Sequence, residues 1–226
     1  MLAMRNVWFV TLILAMLLTL PQAVPADPPV QATKSAKELS AHAQRECDLG
    51  RRAQDRAQRL AHFQQGQTLA EQAVALDDQV ASAHFALFCS LGEQMRIDGE
   101  TLSSVFGLMR VMKVLDRTLE LDPVHLNAMS SKGTFLVRLP AIMGGDQQKG
   151  EQMLREVIRR APHAVNARLA LAKSCADRGN YQEAVALATQ ALEIAKAEAR
   201  EDMIPEAQTV MAELRAQFPS TMVARP

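Results

Sequence analysis

Residues 167–195 read ARLALAKSCADRGNYQEAVALATQALEIA, and this stretch decides the fold. Apolar residues recur every three or four positions on both sides of Gly179-Asn180-Tyr181, so two helices joined by a turn are expected. Leu171 and Ala172 stand on the packed face of the first helix. Ala184, Ala188 and Ala191 make a small-residue seam along the second. The seam has a steric reason, because only Gly or Ala lets two helix backbones approach closely at a crossing. Gly179-Asn180 supplies the kind of residue that ends a helix. Pro162, just ahead, closes the preceding element and helps start the new one.

Upstream, the pattern returns at a fixed offset. Gly145-Asp146 precedes Gly179-Asn180 by 34 residues, and Gly150, Leu154 and Val157 precede Ala184, Ala188 and Ala191 by the same interval. A 34-residue period with small residues at these places resembles the tetratricopeptide repeat, in which each unit is a helical hairpin. The resemblance is specific over roughly residues 131–196, with one departure: Arg168 stands where the family usually has a large aromatic residue.

The N-terminal part is less regular. LDRTLELDP, ending at Pro123, and AEQAVALDD, ending at Asp78, have the form of a repeat's closing helix and turn. With Pro162 these ends are 45 and 39 residues apart, so both intervals exceed 34. The extra length is placed in Arg96–Ser104 and in LPAIMGGD, where Pro140 and Gly144-Gly145 predict an extended, non-helical connection. Ser35 and Glu38 form a capping box that starts the first helix, and Gly50 either breaks residues 36–64 or is tolerated within one helix. Pro205 suits the first turn of a terminal helix near Glu206–Phe218. The expected fold is therefore all-α: a tetratricopeptide-like solenoid of three to four helical hairpins plus a terminal helix, over residues 35–218.

Ahead of it, Arg5 precedes the mostly apolar run Val7–Leu20, followed by Pro21 and Val24-Pro25-Ala26. This order reads as a signal peptide over residues 1–26, cleaved after Ala26, with a linker at 27–34 and a tail at 219–226. The run has 14 residues, short of the roughly 20 that span a bilayer. No Cys follows it before Cys47, so lipid attachment at the cleavage site is not expected. The product is expected in the periplasm or outside the cell, without stable membrane insertion. Cleavage removes Arg5 and no acidic residue, taking the formal charge from zero to −1, a balance that argues against a nucleic-acid partner.

Cys47, Cys89 and Cys175 lie in helical patterns without C-x-x-C spacing, and each is expected as a small buried free thiol rather than part of a disulfide framework. The histidines His42, His62, His84, His125 and His163 are read as placing no pair of metal ligands on one helix face. His84 is expected to pack in the core, and His125 and His163 to occupy surface positions in first turns. No metal or cofactor is called for. No nucleophile-elbow motif is present, and Gly144–Gly150 (GGDQQKG) lacks the order of a phosphate loop. The reading is a binding module and not an enzyme. Arg51, Arg52, Arg56 and Arg59 form a basic cluster, with a solvated face as the default and an acidic partner as the alternative. Leu108–Met112 is read mainly as core.

A narrower resemblance rests on Ala83-His84-Phe85…Leu91-Gly92, the long insertion, Leu119–Pro123 (LELDP) and Leu139-Pro140…Gly144-Gly145-Asp146…Lys149-Gly150. This set is similar to exported bacterial tetratricopeptide-like proteins that include the T component associated with TRAP transporters. The resemblance implies an accessory role beside a periplasmic solute-binding protein, and the missing lipobox departs from that group's lipoprotein form. A structural envelope scaffold is a further alternative. By analogy with stacked hairpins, the first helix of each unit lines a concave face. A protein or peptide partner is expected there, on Asn166, Leu169, Lys173 and Asp177, with Lys132, Phe135 and Leu136 one repeat earlier. Asn166 and Lys173 are seven residues apart, two helical turns, and family members that grip a terminal carboxylate use Asn and Lys there.

Overall fold

The computed structural model describes residues 35–98 and 104–217. The expected signal peptide, its cleavage site, the linker, the tail and the centre of the Arg96–Ser104 insertion lie outside the described residues. The described residues form nine α-helices and one short 3-10 turn, with no strand among them. The helices are α1 (Ala36–Arg52), α2 (Arg56–Leu76), α3 (Ala81–Asp98), α4 (Ser104–Leu121), α5 (Leu126–Arg138), α6 (Gln147–Arg160), α7 (Val165–Asp177), α8 (Tyr181–Ala197) and α9 (Ile204–Gln217). They pair as four hairpins, α1/α2, α3/α4, α5/α6 and α7/α8, and α9 packs on α8. None is long and apolar enough to cross a membrane.

Local chemistry sets the helix ends. At α1 the Glu38 N–H donates to Ser35 Oγ (3.3 Å) while the Ser35 N–H donates to Glu38 Oε2 (2.7 Å), the reciprocal box read from the sequence. Asp55 and Asp146 cap α2 and α6 by accepting from Gln58 and Lys149 N–H. Gly179 ends α7 with φ +78°; its N–H donates to Ala176 O and the Asn180 N–H to Cys175 O, both at 2.8 Å. This is a Schellman closure. The same closure ends α8, but there the left-handed position is Ala199, with φ +50°.

The C-terminal hairpins pack through small residues, as the period of 34 implied. Ala184, Ala188, Ala191 and Ala195 of α8 are all completely buried. In α5/α6 glycines do the same: a Cβ on Gly150 would lie 2.8 Å from Gly133 O and 2.7 Å from Val137 Cγ1. Arg168, in the aromatic position, is buried on α7 and donates to Ala164 O through Nη1 (3.3 Å), while its Nε has no acceptor.

The N-terminal hairpins depart from the sequence reading. Cys47 on α1 and Cys89 on α3 form a buried disulfide (Cα–Cα 6.3 Å), so two of the three expected free thiols are cross-linked and only Cys175 is free. The reason is topological: α1 and α3 pack side by side, bringing together residues 42 apart in sequence. Gly50 lies within α1, which ends at Arg52. A Cβ there would be 2.5 Å from the ring of Phe63, which packs beside the disulfide. The first part of the insertion, Arg96–Asp98, continues α3 as helix, so extra sequence lengthens a helix as well as a loop. Likewise LPAIMGGD is not wholly extended, because Ala141–Met143 make a 3-10 turn closed by Gly144.

Candidate functional site

Every residue expected on the concave face comes from α5 or α7. The structure separates them into four groups. Leu136 and Leu169 face the interior, and Phe135 packs edge-on against Phe88 with centroids 6.3 Å apart. Lys132 is half-buried and paired with Asp116 of α4 at 2.7 Å. Asn166, at the N-terminal end of α7, is exposed. Lys173 and Asp177, at the opposite end of α7, open into a cleft of about 290 Å³ between α5, α7 and α9.

That cleft adds residues the sequence reading missed. Val137 and Arg138 come from the end of α5, and Val210, Glu213, Leu214 and Gln217 from α9. Val137, Ala176, Val210 and Leu214 form an apolar floor, with Arg138, Lys173, Asp177 and Glu213 around it. Among the described residues, none of these four charged side chains takes part in a hydrogen bond or ion pair. Arg138 was within reach of the 34-residue offset, since Lys173 maps to its neighbour Leu139. Glu213 was not, because α9 is unpaired and has no counterpart one repeat earlier.

Between α6, α7 and α8 the ionisable groups are tied together. Glu151 is buried and accepts from Ser174 Oγ (2.8 Å) and Arg178 Nη2 (2.6 Å). Arg155 lies 2.5 Å from Glu183, and that contact holds the Glu183 carboxyl below its ordinary value. Burial pushes the Cys175 thiol up to about 11, so it stays protonated and weakly nucleophilic near neutral pH.

The histidines behave differently from one another. His84 is buried, with Nε2 3.0 Å from the Asp78 carbonyl oxygen. His163 is exposed and pairs with Glu198. His125 is not simply a surface residue: it is half-buried, its ring lies 4.6 Å from that of Phe85, and its Nδ1 accepts from Ala128 N–H to cap α5. Burial holds its pKa below the ordinary value. His42 and Glu46 are four residues apart on one face of α1, a spacing the sequence reading overlooked, and His62 of α2 joins them. Glu46 lies 3.4 Å from His42 and 2.8 Å from His62. Both imidazoles thus face one carboxylate, and among the described residues no group of three or more such side chains has the geometry to hold a metal ion.

The chain defines a class: an all-α, tetratricopeptide-like stack of four hairpins followed by a terminal helix. No family model matches the chain, and no curated protein matches it. Among solved structures, it is similar to a crystal structure of MamA at 18% identity, covering 73% of this chain and 81% of that one with a TM-score of 0.46. It is similar to MamA 41-end from Desulfovibrio magneticus RS-1 at 15% identity, covering 76% and 94%, with a TM-score of 0.44. A third is YrrB, described as a tetratricopeptide repeat protein with an unusual peptide-binding site, at 16% identity, covering 59% and 78%, with a TM-score of 0.33.

Proposed function

We propose that the protein is an exported adaptor that binds a protein or peptide partner through its concave face and does no chemistry of its own. The observation that carries this reading is the cleft between α5, α7 and α9. It offers an apolar floor ringed by two cations and two anions that the described residues leave without ion-pair partners. Such a surface suits an extended segment carrying both apolar and charged side chains. Export is supported by the Cys47–Cys89 disulfide, since structural disulfides persist in oxidising compartments and are rare in reducing ones. It is also supported by the order of charged, apolar and small residues in 1–26.

Cross-linking and co-purification from a periplasmic extract test the reading, paired with the double variant Arg138→Glu/Lys173→Glu. A recovered partner whose affinity falls at least about tenfold, or about 1.4 kcal/mol, in the double variant is the expected result. Failure to recover any macromolecule, or binding that ignores both reversals, sinks it. N-terminal sequencing of the mature protein tests export separately, with Asp27 expected as the first residue.

A further inference from the structure

The charges around the cleft between α5, α7 and α9 are sorted by wall. The α5 wall contributes a single charge, Arg138, and the α9 wall a single charge, Glu213. The helix between them carries one of each, Lys173 and Asp177, four residues apart on one face of α7. Opposite charges at this spacing can pair along a helix. Here they do not, and among the described residues neither pairs with a charge from α5 or α9. The cleft is therefore polarised, with a cationic wall, an anionic wall and no ion pair between them.

Ala176, Val210 and Leu214 of the floor are already buried by their own helices, and so offer a shallow strip rather than a pocket. Selectivity then has to come from the charged rim. On the anionic side the need for a counter-charge is plainest. Asp177 is the last residue of α7, where free carbonyl groups carry negative partial charge and a cation is the stabilising choice. No basic residue stands in that turn, and Arg178, just beyond it, is committed to Glu151. A basic side chain from a ligand supplies the missing cation, and an acidic one meets Arg138 and Lys173. A ligand of one sign only would satisfy one wall and be repelled by the other.

Resting on the adaptor reading above, we infer that the cleft selects partner segments of mixed charge. The segment is an extended stretch in which an acidic and a basic residue, about three positions apart, flank small or apolar ones. An extended chain advances about 3.3 Å per residue, so three positions cover roughly the 8–10 Å between neighbouring helix axes. The acidic residue lies toward α5 and the basic residue toward α9. Residues 218–226 of the chain itself, FPSTMVARP, carry Arg225 but no carboxylate, and so match only the anionic wall.

Selection from a displayed library of random peptides, with the purified protein as bait, tests the pattern. Wild type is expected to enrich peptides that carry both signs at that spacing. Arg138→Glu should shift the enriched set toward basic peptides, and Glu213→Lys toward acidic ones. Both residues are exposed, so both variants should melt like wild type. If a reversal does lower the midpoint, Arg138→Gln or Glu213→Gln takes its place, with a smaller shift in the same direction expected. For the most enriched mixed-charge peptide, calorimetry should show about five- to tenfold weaker binding to either reversal, and binding to wild type that weakens as salt rises. Enriched peptides of one sign or of no charge, or a set that neither reversal shifts, overturn the inference and leave the adaptor reading standing. Enrichment of nothing overturns it too, and co-purification then decides whether the adaptor reading falls with it.

Discussion

The two ends of the stack hold their helices together by different means. In α5–α9 alanines line the helix crossings among larger residues such as Leu154, Leu169 and Leu171, and at Gly133/Gly150 the backbones lie close enough that one added methyl meets a carbonyl oxygen. In α1–α4 the interior holds Phe63, Phe85 and Phe88, a disulfide, and a buried carboxylate shared by two arginines. The seam between them is filled by side chains from both sides, with Phe85 against His125 and Phe88 against Phe135. Small-residue packing works only at fixed spacing and so imposes a period. A covalent staple tolerates irregular spacing, because it fixes two helices whatever lies between them.

The largest way to break this contrast is to open the staple. Cys47→Ser/Cys89→Ser is expected to cost about 2–4 kcal/mol, since the bond closes a long loop in the unfolded chain. Hydrogen exchange should show the loss concentrated in α1–α4, with the amides of α7 and α8 little changed; uniform loss of protection would mean the halves unfold as one. Next in size is the glycine crossing. Gly150→Ala gains about 1 kcal/mol of helix propensity but forces a methyl against Gly133 O, for a net loss of about 1–3 kcal/mol by denaturant unfolding. An unchanged midpoint would show that the α5/α6 crossing can slide.

A smaller effect, of opposite sign, comes from comparing Gly179 with Ala199. Both occupy the left-handed position of a Schellman closure, but only one is glycine. Ala199→Gly should therefore stabilise by about 0.5–1 kcal/mol, read as a higher midpoint, whereas Gly179→Ala should lower it. The smallest is a pH effect at the seam. His125 has a pKa below 6.5 when folded, so on acidification the unfolded chain takes up its proton first. Stability should fall as pH drops through about 6.5 and level off once the folded form is also protonated. His125→Asn, which can still cap α5, should flatten that part of the profile.

Legibility followed the same division. Residues 131–196 could be read because Gly150, Ala184, Ala188 and Ala191 are forced to be small by their neighbours, and that constraint recurs at a fixed interval. The Cys47–Cys89 pair gave no local sign, since each cysteine sits in an apolar helical pattern and their meeting depends on how α1 lies on α3. Lys173 and Asp177 line the cleft between α5, α7 and α9. Leu136 and Leu169 lie inside because α5 and α7 each present a buried face to the next element as well as an open one. Glu213 was invisible to repeat logic, because the helix that carries it repeats nothing.

That helix has a consequence for assembly. A seam of alanines is not self-limiting: whatever hairpin follows can add to it, in the same chain or another. α9 covers the last seam with Ala207, Val210, Met211 and Leu214 buried, and turns exposed Glu206 and Glu213 outward. Deleting α9 would bare that alanine seam, an apolar face of the kind that drives self-association.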